Sequence, residues 1–278
     1  MPTVTPIDDP EDPRIAPYAR VRERDLVGRR GEFIAEGEVV LRVLLGPLSR
    51  CHATSLLVAE KRVERLAPLI ETLPPEVPVY AAGQAVMDAI VGFHIHRGIM
   101  AHGLRPADSG AEALLNGLGP RALVLALFGI SNHDNMGGLF RNAAAFGADA
   151  VLLDGSCCDP LYRKAIRVSV GAALSVPFAR LQAGEDPLAI LERARFTALA
   201  LSPAGAEPLA GLRRPERAAV LLGAEGGGLP DVVLGRARTL AIPMAQGWDS
   251  LNVAAASAVV LHEVTRGPGA GHGCSPIK

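Results

Sequence analysis

Apolar runs of strand length alternate with longer stretches that are apolar on one face only, and this rhythm divides the chain into strands and helices. In the first third, residues 53–59, 77–80 and 98–101 read as strands, and residues 62–72 and 82–90 as helices. Residues 37–44 read as a helix, with a strand in competition because Val39, Val40 and Val43 are β-branched. The continuous apolar run 122–128 is a buried strand. A helix follows with Leu139, Ala143 and Phe146 on one face; Asp134 or Asn135 can cap it, and Gly147 stops it before a strand over 150–153. Strands over 176–179, 197–201 and 218–222 come next, with a helix over 187–195. Near the end, Leu240, Ile242 and Met244 mark a short strand that Pro243 closes, since proline has no amide hydrogen for a ladder. A polar loop leads to Ser250, placed to cap a helix of Ala254, Ala255, Ala256 and Ser257, small enough for another backbone to pass close. Alternation of this kind predicts an α/β fold with a parallel sheet, preceded by a smaller α/β domain.

The domain limits follow from composition. Residues 1–18, rich in Pro and Asp, read as a disordered tail, and residues 19–102 as the small α/β domain. The Gly-, Pro-, Asp- and Ser-containing stretch 103–120 reads as a linker to a second domain over 121–266. The Gly- and Pro-rich end, 267–278, reads as a second disordered tail.

Composition removes several function classes. With 49% hydrophobic and 21% charged residues, the 278-residue chain has an ordinary soluble makeup, and no apolar run is long enough to span a membrane. Asp8, Asp9, Glu11 and Asp12 stand where a signal peptide would be basic and then apolar. Cys51, Cys157, Cys158 and Cys274 lack metal-ligand spacing and read as reduced thiols of a cytoplasmic protein. His94 and His96 alternate before a strand, a pattern of loop polarity rather than of a metal site. A net charge of −1 argues against indiscriminate coating of nucleic acid but leaves room for a selective RNA enzyme. Arg20, Arg22, Arg24, Arg29 and Arg30 cluster, yet Glu23, Asp25 and Glu32 interleave with them, so a solvated face and a phosphate grip both remain open.

Three stretches carry candidate chemistry. Gly137 and Gly138 open a helix at a cost of roughly 1 kcal/mol each against alanine, which implies close backbone approach. The glycine-rich turn 223–229 follows a strand, as in dinucleotide sites, but GxGxxG is absent and no acidic residue follows at the expected interval, which disfavours a Rossmann oxidoreductase. The third is Ile242-Pro243-Met244, a loop, and Ser250-Leu251-Asn252-Val253.

Taken in order, these resemble the three motifs of the SpoU (TrmH) RNA 2′-O-ribose methyltransferases of the SPOUT class. Asn135, Gly137, Arg141, Phe146 and Gly147 match the first motif, although His133-Asp134 stands where the family often has aspartate-proline. Ser169, Gly171 and Ala172 resemble a serine-x-glycine-alanine helix end of the same family. The turn at Gly223-Ala224-Glu225 resembles the second motif, with Ala224 replacing a common asparagine. The first domain resembles, through residues 31–37 and 96–101, the ribosomal-protein-like domain with which many members hold RNA. The resemblance implies a trefoil-knotted parallel sheet that binds S-adenosyl-L-methionine in the knot. It assigns the cofactor to Ser202, Gly223, Ala224, Ile242, Met244 and Leu251. It also implies methyl transfer to a ribose 2′-hydroxyl without a metal. Arg141 would bind phosphate and activate the hydroxyl electrostatically, and Asn135, Glu225, Ser250 and Asn252 would orient the reactants. Homodimers are typical of the class, and the additional domain favours ribosomal over transfer RNA. The competing reading is a catalytically silent RNA- or cofactor-binding module, against which Arg141, Glu225 and Asn252 are all intact. A base-methylating relative is disfavoured by the Ser-Leu-Asn signature.

Overall fold

The computed structural model describes residues 3–19, 27, 31–91, 98–246 and 250–266. The expected tail over 267–278, the His94/His96 pair and all five arginines of the basic cluster at 20–30 lie outside them. Two compact units divide the chain, and each draws on more than one stretch of sequence.

The first unit comprises residues 1–108, 132–141 and 158–176. Among the described residues its sheet has five strands, β1 (Val4–Ile7), β2 (Glu32–Glu36), β3 (His52–Ala59), β4 (Val79–Ala82) and β5 (Ile99–Leu104), in the order β1-β4-β3-β5-β2. β1, β4 and β3 run parallel, and β5 runs antiparallel to both β3 and β2. Helices α1 (Glu38–Leu44), α2 (Val63–Ile70) and α3 (Gln84–Val91) connect them, so residues 37–44 resolve in favour of the helix. The strand expected over 77–80 lies two residues later, because Val77 and Pro78 complete the turn into it.

The expected disorder of residues 1–18 is corrected. β1 pairs with β4 in the register Val4↔Val79, and Ile7, Ile15 and Tyr18 are buried in this unit's core. The Tyr18 hydroxyl sits 2.7 Å from Ser55 Oγ and accepts the His102 backbone N–H, closing the segment onto the sheet.

Residues 158–176 pack within the same unit. Helix α6 (Arg163–Val168; α4 and α5 are given below) sends Arg163 to Glu36 on β2 at 3.1 Å, and Arg105 reaches Asp159 at 2.6 Å. After α6 the chain reverses at Val170 and Gly171, both at positive φ. Ser169 closes the helix end by donating to Ile166 O and accepting from Ala173 N. A Cβ on Gly171 would lie 2.9 Å from that of Val43, so the serine-x-glycine-alanine pattern here encodes a tight turn under close packing.

The second unit comprises residues 109–131, 142–157 and 177–278. Its described strands are β6 (Ala122–Leu127), β7 (Ala150–Leu153), β8 (Phe178–Arg180), β9 (Thr197–Leu201), β10 (Glu207–Pro208), β11 (Arg217–Leu222) and β12 (Arg238–Ala241). They form one sheet in the order β10-β12-β9-β11-β6-β7-β8, parallel at every pairing. β6 is buried at every position, as its unbroken apolar run requires. The helices are α4 (Ala111–Asn116), α5 (His133–Ala145, whose first part lies in the other unit), α7 (Pro187–Arg193), α8 (Asp231–Leu234) and α9 (Val253–Thr265). The expected linker 103–120 therefore contains the end of β5 and a helix, α4, whose Ala111 and Leu115 are buried in the second unit's core. Arg217 anchors that helix's end: its guanidinium donates to Leu115 O at 2.8 Å and to Leu118 and Gly119 carbonyls, and it stacks 4.3 Å from the Phe196 ring centroid.

Burial also sets the thiol chemistry. It pushes the Cys51 thiol up to about 11, and it pushes Cys157 up to about 12 with Asp154 adding to the shift. Since the thiolate is the reacting form, both should resist a thiol-specific disulfide reagent at pH 8 in the folded protein and react on denaturation. Peptide mapping after labelling checks this; rapid native modification of either would contradict the burial.

Candidate active site

Three loops at the C-terminal ends of the neighbouring strands β12, β9 and β11 enclose a cavity of about 710 Å³. In open parallel sheets this end is where ligands bind, and the volume lies within the roughly 300–1,000 Å³ of small-molecule sites.

The loop after β11 owes its shape to its glycines. A Cβ on Gly223 would collide with the peptide joining Gly228 to Leu229, so the loop can fold back on itself only with glycine there. Gly226 (φ 86°) and Gly228 (φ 64°) take left-handed conformations, and Gly228 N donates to Ala224 O at 2.9 Å. The loop after β9 is held by Ser202 N donating to Leu240 O at 2.9 Å, and Gly205 passes too close to the Leu240–Ala241 peptide for any side chain.

β12 ends at Ala241, one residue before Ile242, so Ile242 and Met244 belong to the loop rather than to the expected strand and face the cavity. Asn252, not Ser250, caps α9: its Oδ1 accepts from Ala254 N at 2.9 Å and Ala255 N at 3.3 Å. An asparagine cap positioned directly before the helix satisfies the first free amides, which Ser250 is too far back to reach. The same side chain donates through Nδ2 to Glu225 Oε1 at 2.7 Å, tying the glycine-rich loop to the start of α9.

All six residues assigned to the cofactor, Ser202, Gly223, Ala224, Ile242, Met244 and Leu251, line this cavity, together with Glu225, Ser250 and Asn252. Asn135 and Arg141 belong to the first unit. Asn135 is buried in the first turn of α5, and Arg141 is exposed further along it, with no hydrogen bond or ion pair among the described residues. The cap of α5 is Asn132 rather than Asp134 or Asn135, since its Oδ1 accepts from Asp134 N at 2.7 Å. Gly137 accounts for one of the two costly glycines: an added Cβ would lie 2.6 Å from that of Val168 and 2.8 Å from Ala165 O on α6.

Sequence reasoning missed four contributors. Asp231 and Leu234 of α8 also line the cavity, signalled only by following the glycine turn. Asn142, beside Arg141 in the chain, donates to Ala254 O at 2.7 Å and Ser257 Oγ at 2.8 Å, locking the first turn of α9. Further along the sheet, Asp154 organises the approach to α5 by accepting from the backbone N–H groups of Gly129, Ser156 and Cys157. Among the described residues no group of three or more His, Cys, Asp or Glu is placed to hold a metal, and no helix is long and apolar enough to cross a membrane.

Comparison with known proteins shows the family. Residues 122–262 match the SpoU rRNA Methylase family. An uncharacterized tRNA/rRNA methyltransferase of Mycobacterium bovis is 36% identical over 98% of this chain and 94% of its own. A 23S rRNA (guanosine-2′-O-)-methyltransferase of Salmonella typhi is 30% identical over 73% of this chain and 85% of its own. The crystal structure of an RNA 2′-O ribose methyltransferase superposes with a TM-score of 0.76 at 26% identity, covering 94% of this chain and 98% of that one. The chain belongs to the SpoU rRNA Methylase family.

Proposed function

We propose that the protein is an S-adenosyl-L-methionine-dependent RNA methyltransferase that methylates a ribose 2′-hydroxyl, with ribosomal RNA favoured over transfer RNA. The observation that carries this reading is the convergence of the second and third motifs on one cavity at the C-terminal end of a parallel sheet. The relatives named for 2′-O-methylation of RNA support the position of transfer.

The cavity suits the cofactor. Gly223 lets the glycine-rich loop fold back on itself, so that one wall of the cavity is largely backbone, and Ile242, Met244 and Leu251 offer apolar surface for a flat base. When bound, S-adenosyl-L-methionine supplies a methyl group on a positively charged sulfur, a leaving group that needs no metal. The protein's task is then to position the 2′-oxygen and remove its proton. Arg141 stays protonated and cannot serve as a base by itself; it grips an RNA phosphate and stabilises the oxygen as its proton leaves. Asn135, buried in the first turn of the helix that carries Arg141, helps to orient the reactants. The Asn252–Glu225 pair holds the glycine-rich loop against α9, and Ser250 offers a hydroxyl at the cavity.

On this reading the chain of the second unit is threaded into the trefoil knot of the class, residues 19–102 select the RNA, and the working form is a cytoplasmic homodimer. The exposed Ala255 and Val259 on α9 give such a dimer small and apolar surface to pack.

The test is to incubate the purified full-length protein with ribosomal RNA and cofactor carrying a labelled methyl group, then digest to nucleosides. Label in 2′-O-methylnucleosides is expected. Label confined to methylated bases would replace this reading with the base-methylating one, and cofactor binding without transfer to any cellular RNA would favour the silent module.

A further inference from the structure

The cavity's charge is one-sided. Among the described residues, two carboxylates, Glu225 and Asp231, line it, and no lysine, arginine or histidine does. The two acids differ in their commitments. Glu225 already accepts the Asn252 amide at 2.7 Å. Asp231 is exposed at the start of α8, and its carboxylate has no hydrogen bond or ion pair among the described residues. The basic residues that follow it are engaged elsewhere: Arg236 with Asp186 at 2.7 Å and Arg238 with Glu207 at 2.7 Å. Asp231 thus presents an uncompensated negative charge to whatever occupies the cavity.

We propose that Asp231 is a specificity residue that makes the cavity read the ligand's charge, holding the sulfonium donor more tightly than the neutral thioether that remains after transfer. The inference rests on the cofactor reading above. In the transfer the carbon–sulfur bond breaks, and sulfur keeps the electron pair and loses its positive charge. The methyl group forms a bond to the ribose oxygen, whose proton passes to water. Donor and product therefore differ by one methyl group and one unit of charge, and they share their adenosine, amine and carboxylate. A lining that is acidic and lacks bases attracts the donor through that one charge and loses the same attraction once transfer is complete. Product leaves and donor replaces it with no movement of the protein required. Because Asp231 is exposed, water and salt screen its field, so the effect should be several-fold rather than thousands-fold.

Calorimetry on the full-length protein tests this with S-adenosyl-L-methionine and S-adenosyl-L-homocysteine as ligands of the parent, Asp231→Asn and Asp231→Glu. Asp231→Asn should weaken the donor by about five- to tenfold and the product by less than twofold, while Asp231→Glu keeps most of the parent's preference. Raising salt should narrow the preference in the parent and in Asp231→Glu but leave Asp231→Asn nearly unchanged. Equal weakening of both ligands would overturn the charge reading, because it would place Asp231 against a part they share. Unchanged affinities would overturn it too. A parent that binds neither compound would overturn the cofactor assignment itself, a failure distinct from the other two.

Discussion

Arg141→Ala should lower single-turnover methyl transfer by about 10²- to 10⁴-fold, the usual range for a group that assists proton transfer. The expectation follows from the side chain's situation. Arg141 lies exposed on a helix whose first turn is capped by Asn132 and pressed onto α6 at Gly137, and it has no partner among the described residues. A cation that does nothing for the fold can be removed without unfolding it, so the loss should appear in turnover and not in melting temperature. Cofactor affinity should stay within about threefold of the parent, because the cavity's lining does not include Arg141. Arg141→Lys should also be badly impaired, since an ammonium lacks the planar, two-pronged grip of a guanidinium on phosphate. The measurement is transfer to a defined RNA under single-turnover conditions, with cofactor binding followed in parallel. An alanine variant within about threefold of the parent rate would return Arg141 to the class of ordinary surface cations.

The parallel core is legible in the sequence because it is written locally, whereas the cavity residues come from the resemblance of the motifs. An unbroken apolar run such as 122–127 can only be a buried strand or helix, and the short span between turns decides for strand. The glycine pair at 137 and 138 advertises close approach before any neighbour is known, and the structure supplies the neighbour of Gly137 in α6. Features that depend on distant partners were not legible. β1 has four residues in a Pro- and Asp-rich setting, and its pairing with β4 lies more than seventy positions away. Ile7, Ile15 and Tyr18 look like isolated apolar residues until the sheet that buries them is present. Helix α4 falls within the expected linker for a similar reason: Ala111 and Leu115 give one apolar stripe a single turn long, too little to signal a helix without the core it covers. The expected caps lie two or three residues from the observed ones because Asn132, Asp134 and Asn135, or Ser250 and Asn252, are all competent capping types, and only backbone geometry chooses among them.

Gly223→Ala should reduce affinity for S-adenosyl-L-methionine by about 10- to 100-fold, the equivalent of roughly 1–3 kcal/mol of overpacking. The added methyl has nowhere to go. Its nearest neighbours are the carbonyl carbon and oxygen of Gly228 and the amide nitrogen of Leu229, all backbone atoms, so no side-chain rotation can relieve the clash. The loop must open between Ala224 and Gly228, breaking the Gly228 N to Ala224 O hydrogen bond, and Glu225 must shift with it against its tie to Asn252. The walls of the cavity on that side are this same backbone, so displacement falls directly on the ligand site. Gly227 provides the control within the loop: a Cβ there meets nothing within 4 Å, and its φ lies outside the left-handed region. Gly227→Ala should therefore bind within about twofold of the parent. Gly226→Ala should fall between the two, because it meets no atom but must hold a left-handed conformation at a cost of roughly 1–2 kcal/mol. Calorimetry on the three full-length variants, with thermal melts to confirm folding, gives the ranking. Equal affinities for Gly223→Ala and Gly227→Ala would mean that the fold of this loop does not shape the ligand site.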